Sequence, residues 1–250
     1  RLPYYAIDRL IDRVTTAGST IFTFTPIPEA YTSRRIRVSF QSAENQITAG
    51  ILWSASQPEA APIWRLRFTF PRQPLRHVRV GQTGTGPDTW TVHELRIFDG
   101  ARELPRDPDW QLRADPSPWH IQSAFDNSPV TFWMCGETVK PGEVIDVAFA
   151  REEFADSVLI EAAPNQPSIR LKLEGIAAKL TITDAPRPIG LRRAAAEEVK
   201  RRGNDYLLIF PDNAGAADVH SNQDLWGLQF VGEAAGARLY RLPETNNTTR

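Results

Sequence analysis

Ala124-Phe125-Asp126-Asn127-Ser128-Pro129-Val130-Thr131-Phe132-Trp133 places a carboxylate, a turn, a hydroxyl and a tryptophan within ten residues, just ahead of strand-like sequence. Asp126-Asn127-Ser128-Pro129 is turn chemistry, because short polar side chains hydrogen-bond their own backbone and proline fixes φ. Such a turn gathers Asp126, Thr131 and nearby carbonyls into a small concavity, the oxygen-donor type that a hard cation such as calcium accepts. The stretch reads as a recognition loop on a β framework, not as a catalytic loop.

Working outward, almost no helical period runs from Pro62 to Thr183. Short alternating strands are expected at Trp64–Phe70, Leu75–Val80, Trp90–Phe98, Val144–Phe149, Ser157–Glu161 and Ile169–Leu173, separated by proline, glycine and aspartate. That is the pattern of an antiparallel β-sandwich. The flanks differ. Ile7, Leu10, Ile11 and Val14 repeat at helical spacing, followed by strands at Thr20–Phe24 and Ile36–Phe40 and a short helix over Asn45–Trp53. Leu191–Arg202 is an alanine-, glutamate- and arginine-rich helix stopped by Gly203, and Asp205–Pro211 is a continuously apolar strand of the kind buried on both faces of a parallel sheet. A helix over Asp224–Ala235 and a strand at Ala237–Leu242 complete the chain. The expected fold class is therefore mixed: an antiparallel β-sandwich inserted into a small α/β layer with a mostly parallel sheet. Proline-rich boundaries divide the chain into 1–57, the first part of the α/β unit; 58–188, the sandwich; 189–245, the second part of the α/β unit; and 246–250, a disordered tail.

With 29 basic and 30 acidic side chains the formal net charge is −1, so no global field draws the chain to nucleic acid or an anionic surface. The single Cys135 makes no intramolecular disulfide, and His77, His93, His120 and His220 have no metal-ligand spacing. No run of apolar residues is long enough to span a membrane, and the expectation is that this stretch carries no export signal of its own. Arg1 stands in place of a methionine, so the expectation is a soluble piece of a longer protein. The Asn-x-Thr acceptors of Thr245–Thr249 are what a polar terminus produces by chance.

The order Ala-x-Asp, short turn, Thr-x-Trp, followed by Pro141-Gly142-Glu143-Val144-Ile145-Asp146-Val147-Ala148-Phe149, resembles the opening half of a discoidin (coagulation factor 5/8 type C) domain of the galactose-binding-like superfamily. It departs from that pattern at Asn127, where glycine is usual, and at Ala150. Leu75–Val80, Gln82-Thr83-Gly84 and Trp90–Phe98 look like the closing half of the same domain, here placed first. The resemblance implies a jelly roll, circularly permuted; two tandem modules, each with one half diverged, are the alternative. It also places Glu94 beside Asp126 and Thr131, as the third group holding a structural Ca2+, and makes Trp133 a core residue. The order of elements from Leu191 to Pro211 and from Leu225 to Leu242 resembles the soluble tail of membrane-bound mannosyltransferase-type glycosyltransferases, whose catalytic acids lie in the membrane portion. That resemblance implies a membrane-anchored parent and a periplasmic or cell-surface, extracytoplasmic location.

No Gly-x-Ser-x-Gly elbow occurs, Cys135 sits among aromatics, and Gly81-Gln82-Thr83-Gly84-Thr85-Gly86 has no following helix to cradle phosphate, so it reads as a hairpin loop. Sugars suit the composition better, since pyranose C–H faces stack on aromatic rings while their edges take hydrogen bonds. Trp90 and Trp119 are the candidate platforms, with Arg79, His120 and Asn127 as polar partners. The sequence reading is a non-catalytic carbohydrate-recognition module that binds a glycan or glycosylated acceptor. A structural or protein-interaction module, and an enzyme acting through Asp126 or Glu94, are the alternatives.

Overall fold

A computed structural model describes residues 2–57, 62–164, 166–186 and 188–244. The expected tail at 246–250 and the boundary residues 58–61 lie outside the described residues. Two compact units are formed, one from 1–58 with 188–250 and the other from 59–187.

The first unit opens with α1 (Leu2–Val14), whose buried stripe is Ile7, Leu10 and Ile11. Strands β1 (Thr20–Thr23) and β2 (Arg35–Val38) follow, then α2 (Ala43–Ala55), where Ser42 caps the helix by accepting from the Asn45 N–H at 3.1 Å.

The second unit contains β3 (Ile63–Gln82), β4 (Thr91–Val92), β5 (Glu94–Asp99), β6 (Arg102–Glu103), β7 (Gln111–Asp115), a 3-10 segment at Pro118–Ala124, β8 (Trp133–Met134), β9 (Val144–Ala162), β10 (Leu171–Leu173) and β11 (Lys179–Ala185). The two pairs of strands expected from the sequence run on as single long strands, β3 of 20 residues and β9 of 19. Their antiparallel pairing slips between Thr69 and Gln73 and again between Leu75 and His77, so bulges divide the pair into two halves. On one side of the bulges β3 pairs with β11 and β9 with β5; on the other β3 pairs with β10 and β9 with β7. Leu66, Phe68, Leu95 and Val158 from one half join Val78, Val80, Ile145 and Val147 from the other in a single hydrophobic cluster, with Trp90 and Trp133 inside it. Ile63 and Ala185 are paired across β3 and β11, so the chain enters and leaves this unit at neighbouring positions, as an inserted domain requires. The loop after β3 is not a hairpin. β3 and β4 have different partners, and Gln82 Oε1 accepts from the N–H groups of Thr83, Gly84 and Arg170, which draws the loop against the 168–170 segment. A side chain at Gly84 or Gly86 would strike Ser168.

The chain then returns to the first unit through α3 (Leu191–Arg201), β12 (Tyr206–Ile209), α4 (Ala216–Ser221), α5 (Gln223–Trp226), β13 (Gln229–Ala234) and β14 (Ala237–Arg241). The five strands lie in the order β13-β14-β12-β1-β2. β1 is parallel to β12 and to β2, whereas β14 is antiparallel to both β12 and β13. The sheet is thus mixed, and the expectation of a mostly parallel sheet is corrected. The cause is the segment read as a helix over Asp224–Ala235: Gly227, at φ +66°, ends α5 after one turn, and Ala235-Gly236, at φ +50° and +81°, closes a two-residue hairpin that makes 229–234 a strand. Ile21, Leu208 and Leu239 pack with α1 on one face, and the alternating Phe22, Leu207 and Tyr240 are equally buried on the other. No helix among the described residues is long and apolar enough to cross a membrane.

Candidate functional site

The 3-10 segment Pro118–Ala124 leads directly into the Asp126 turn. Asp126 accepts from the Ser128 N–H at 2.9 Å, and the Thr131 hydroxyl donates to its two carboxylate oxygens at 2.8 and 2.9 Å. Asn127 adopts φ +57°, a left-handed conformation that glycine takes freely and asparagine tolerates, so the departure from glycine at this position leaves the turn intact.

Glu94 lies at the start of β5 with only 5% of its surface exposed, and the Asn127 backbone N–H is hydrogen-bonded to it. The three residues Asp126, Thr131 and Glu94 are therefore brought to one turn. Burial pushes the Glu94 carboxyl up to about 8; Arg96 pulls the other way, and Asp126 and Glu161 add repulsion. Arg96, two residues on and hence on the same face of β5, organises the cluster. It donates to Asn127 Oδ1 at 2.6 Å and to Glu103 Oε1 at 2.8 Å, and its guanidinium stands 3.9 Å from Glu94 Oε2.

This donor set does not fit the expected calcium. Such an ion takes six to eight oxygens. Here the side chains supply two carboxylates and one hydroxyl, the hydroxyl donates to Asp126, and the Arg96 guanidinium stands 3.9 Å from Glu94. Among the described residues no group of three His, Cys, Asp or Glu side chains is gathered for a metal. Asp126, Thr131 and Glu94 act instead as the internal lock of a turn, with Arg96 as its cation.

The aromatic candidates separate sharply. Trp90 is 0% exposed and packs edge-on against Trp133 at 5.1 Å, so it offers no face to a ligand; its assignment as a sugar platform is corrected, because the ring is needed in the core. Trp133 is equally buried and donates from Nε1 to the Ser117 carbonyl at 2.9 Å. Trp119 is 66% exposed, with the His120 ring edge-on to it at 6.0 Å. Arg79 lies in the other half of β3, where Asp146 at 3.0 Å and Glu174 at 3.8 Å hold it across the strands, and it does not join the turn. Cys135 is buried and burial pushes its thiol up, which makes it a core residue, not a nucleophile.

A cleft of about 270 Å³ is lined by Glu94, Arg96, Glu103, Arg106, Trp110 and Asn127 among others. Arg96, Glu103, Arg106 and Trp110 were not singled out by the sequence reading; Arg96 alone carried a signal, its i+2 relation to Glu94 on an alternating strand. No family model, curated protein or solved structure matches the chain.

Proposed function

We propose that the chain is a non-catalytic carbohydrate-recognition module, a galactose-binding-like sandwich carried by an α/β unit and belonging to a larger, membrane-anchored glycosyltransferase-like protein facing the extracytoplasmic side. The observation that carries this reading is Trp119, two-thirds exposed beside His120 on the segment that enters the locked Asp126 turn. An indole held in water beside an imidazole ring combines a stacking face with a hydrogen-bonding edge, the pairing that sugars require. A single permuted sandwich, in preference to two tandem modules, is supported by the one hydrophobic cluster that joins both halves of β3 and β9. Glycan-array screening followed by titration calorimetry tests the function: binding to at least one neutral glycan is expected, with a loss of tenfold or more in Trp119→Ala. Silence across diverse sugars would favour a structural or protein-interaction role.

One observation favours an enzyme reading, the shifted carboxyl of Glu94 in a cleft. Acid catalysis by Glu94 needs a second group to attack or to accept a proton. Asp126 is committed to Thr131 and Ser128, which weighs for the binding role. Glycosidase assays with chromogenic substrates at pH 5–8 should show no turnover that Glu94→Gln abolishes.

A further inference from the structure

The segment from Leu104 to Trp110 divides two clefts. On one side lies the cleft of about 270 Å³ next to Glu94, and on the other a second of about 320 Å³ lined by Arg102, Arg106, Asp107, Pro108, Trp110 and Arg151 among others. Leu104, Pro105, Arg106 and Trp110 line both. The segment is firmly built: the Leu104 N–H donates to the Ile97 carbonyl at 2.8 Å, Leu104 is buried, the Asp107 carboxylate accepts from the Asp109 N–H at 2.9 Å, and the Trp110 N–H closes on the Asp107 carbonyl at 3.0 Å. Trp110 leans on Phe149 with ring centroids 5.1 Å apart and keeps part of its surface in solvent.

The charges around these clefts are unevenly satisfied. Arg96 has Glu103 at 2.8 Å, Arg151 has Glu153 at 2.7 Å, and Arg102 has Asp99 at 3.9 Å. Arg106 is exposed and makes no ion pair among the described residues. It is the uncompensated cation of both clefts, set beside a half-buried indole and two prolines. A guanidinium presents a planar fork that matches carboxylate and sulfate bidentately, and the indole and proline surfaces offer an apolar wall for a ring.

We propose that the Arg106–Trp110 segment is a binding site for acidic saccharides, with a carboxylate or sulfate ester received by Arg106 and the sugar ring by Trp110. The proposal rests on the carbohydrate-recognition reading but uses residues separate from Trp119. A salt-sensitive contact of this kind also gives the module a preference among glycans that stacking alone does not supply.

The experiment is titration calorimetry of the whole chain with three probes: an oligogalacturonate, a sulfated oligosaccharide of the heparin type, and a neutral oligosaccharide of matched length. The expected result is binding of at least one acidic probe tenfold or more tighter than the neutral one, weakened at high salt and weakened at least tenfold by Arg106→Glu, with Arg106→Lys intermediate. Which acidic probe binds separates carboxylate from sulfate recognition. Trp119→Ala run in parallel keeps the two readings apart: neutral-glycan binding lost in Trp119→Ala while acidic probes ignore Arg106→Glu overturns this proposal and leaves the first. Equal affinity for acidic and neutral probes also overturns it.

Discussion

The two larger sheets of this protein solve burial in opposite ways. In the α/β unit, β1 and β12 are four residues each and buried at every position, so both faces of a short sheet are covered. In the β unit, β3 and β9 are about five times longer, alternate between buried and exposed positions, and are bulged midway so that both halves feed one core. Short, continuously apolar strands leave no choice about which side faces in, whereas a long alternating strand must be redirected to enclose a core. Both units are anchored by large buried groups, Trp90 and Trp133 in the β unit and Trp226, Tyr240 and Phe22 in the α/β unit, so the contrast lies in how their strands are covered.

The hardest test of that contrast is truncation at each centre. Trp133→Ala should cost about 3–5 kcal/mol and Leu208→Ala about 2–5 kcal/mol, each read by urea denaturation. Tryptophan fluorescence and the helical circular dichroism signal should report different midpoint shifts for the two variants, because the helices belong to the α/β unit. Identical shifts of both signals in both variants would dissolve the distinction.

A second test uses pH. The folded β unit holds Glu94 protonated up to about 8, whereas an unfolded glutamate releases its proton near 4.5. The folded state therefore binds more protons between these values, so the stability contributed by Glu94 is fully present below 4.5, is lost as pH rises through this window, and changes no further above 8. The slope is at most about 1.4 kcal/mol per pH unit. Glu94→Gln should flatten the profile, whereas Leu208→Ala should lower stability while keeping the slope. An unchanged profile in Glu94→Gln would place the shift elsewhere.

The turn lock gives a smaller effect. Thr131→Val removes the hydroxyl that donates to Asp126 and should cost about 1 kcal/mol. Asp126→Asn, which keeps an acceptor, should cost less. The smallest change expected is a gain: Ala235 sits at φ +50° in the β13–β14 hairpin, and Ala235→Asn or Ala235→Gly should raise stability by about 0.5–1 kcal/mol in thermal melts. A loss there would mean that the alanine methyl group packs against something essential.

The missed elements have identifiable causes. Leu225, Trp226, Leu228, Val231 and Ala234 recur closely enough to mimic a helical face, and the competing signals were single residues: Gly227 as a left-handed stop and Ala235-Gly236 as a turn pair. Thr69–Gln73, with Pro71, reads as a break between strands, yet an antiparallel pair carries proline at a bulge without ending. Trp90 and Trp119 have similar polar neighbours in sequence; one is core and one is exposed because Trp90 sits next to β4, which pairs with the strand holding Trp133, while Trp119 projects from a 3-10 turn.

What the sequence by itself determined is local: α1, α2 and α3 of the α/β unit, the apolar β12, the change from helical to alternating period near Pro62, and the Asp126–Thr131 turn. Each of these follows from hydrophobic period, capping and turn chemistry within a few residues. Only the tertiary structure decided that both halves of β3 and β9 share a core, that Arg96 stands among Glu94, Asn127 and Glu103, and that Arg106 makes no ion pair among the described residues. Those outcomes depend on distant segments meeting, and an ion pair or a buried ring is set by which neighbour arrives across the sheet, a quantity that no local spacing encodes.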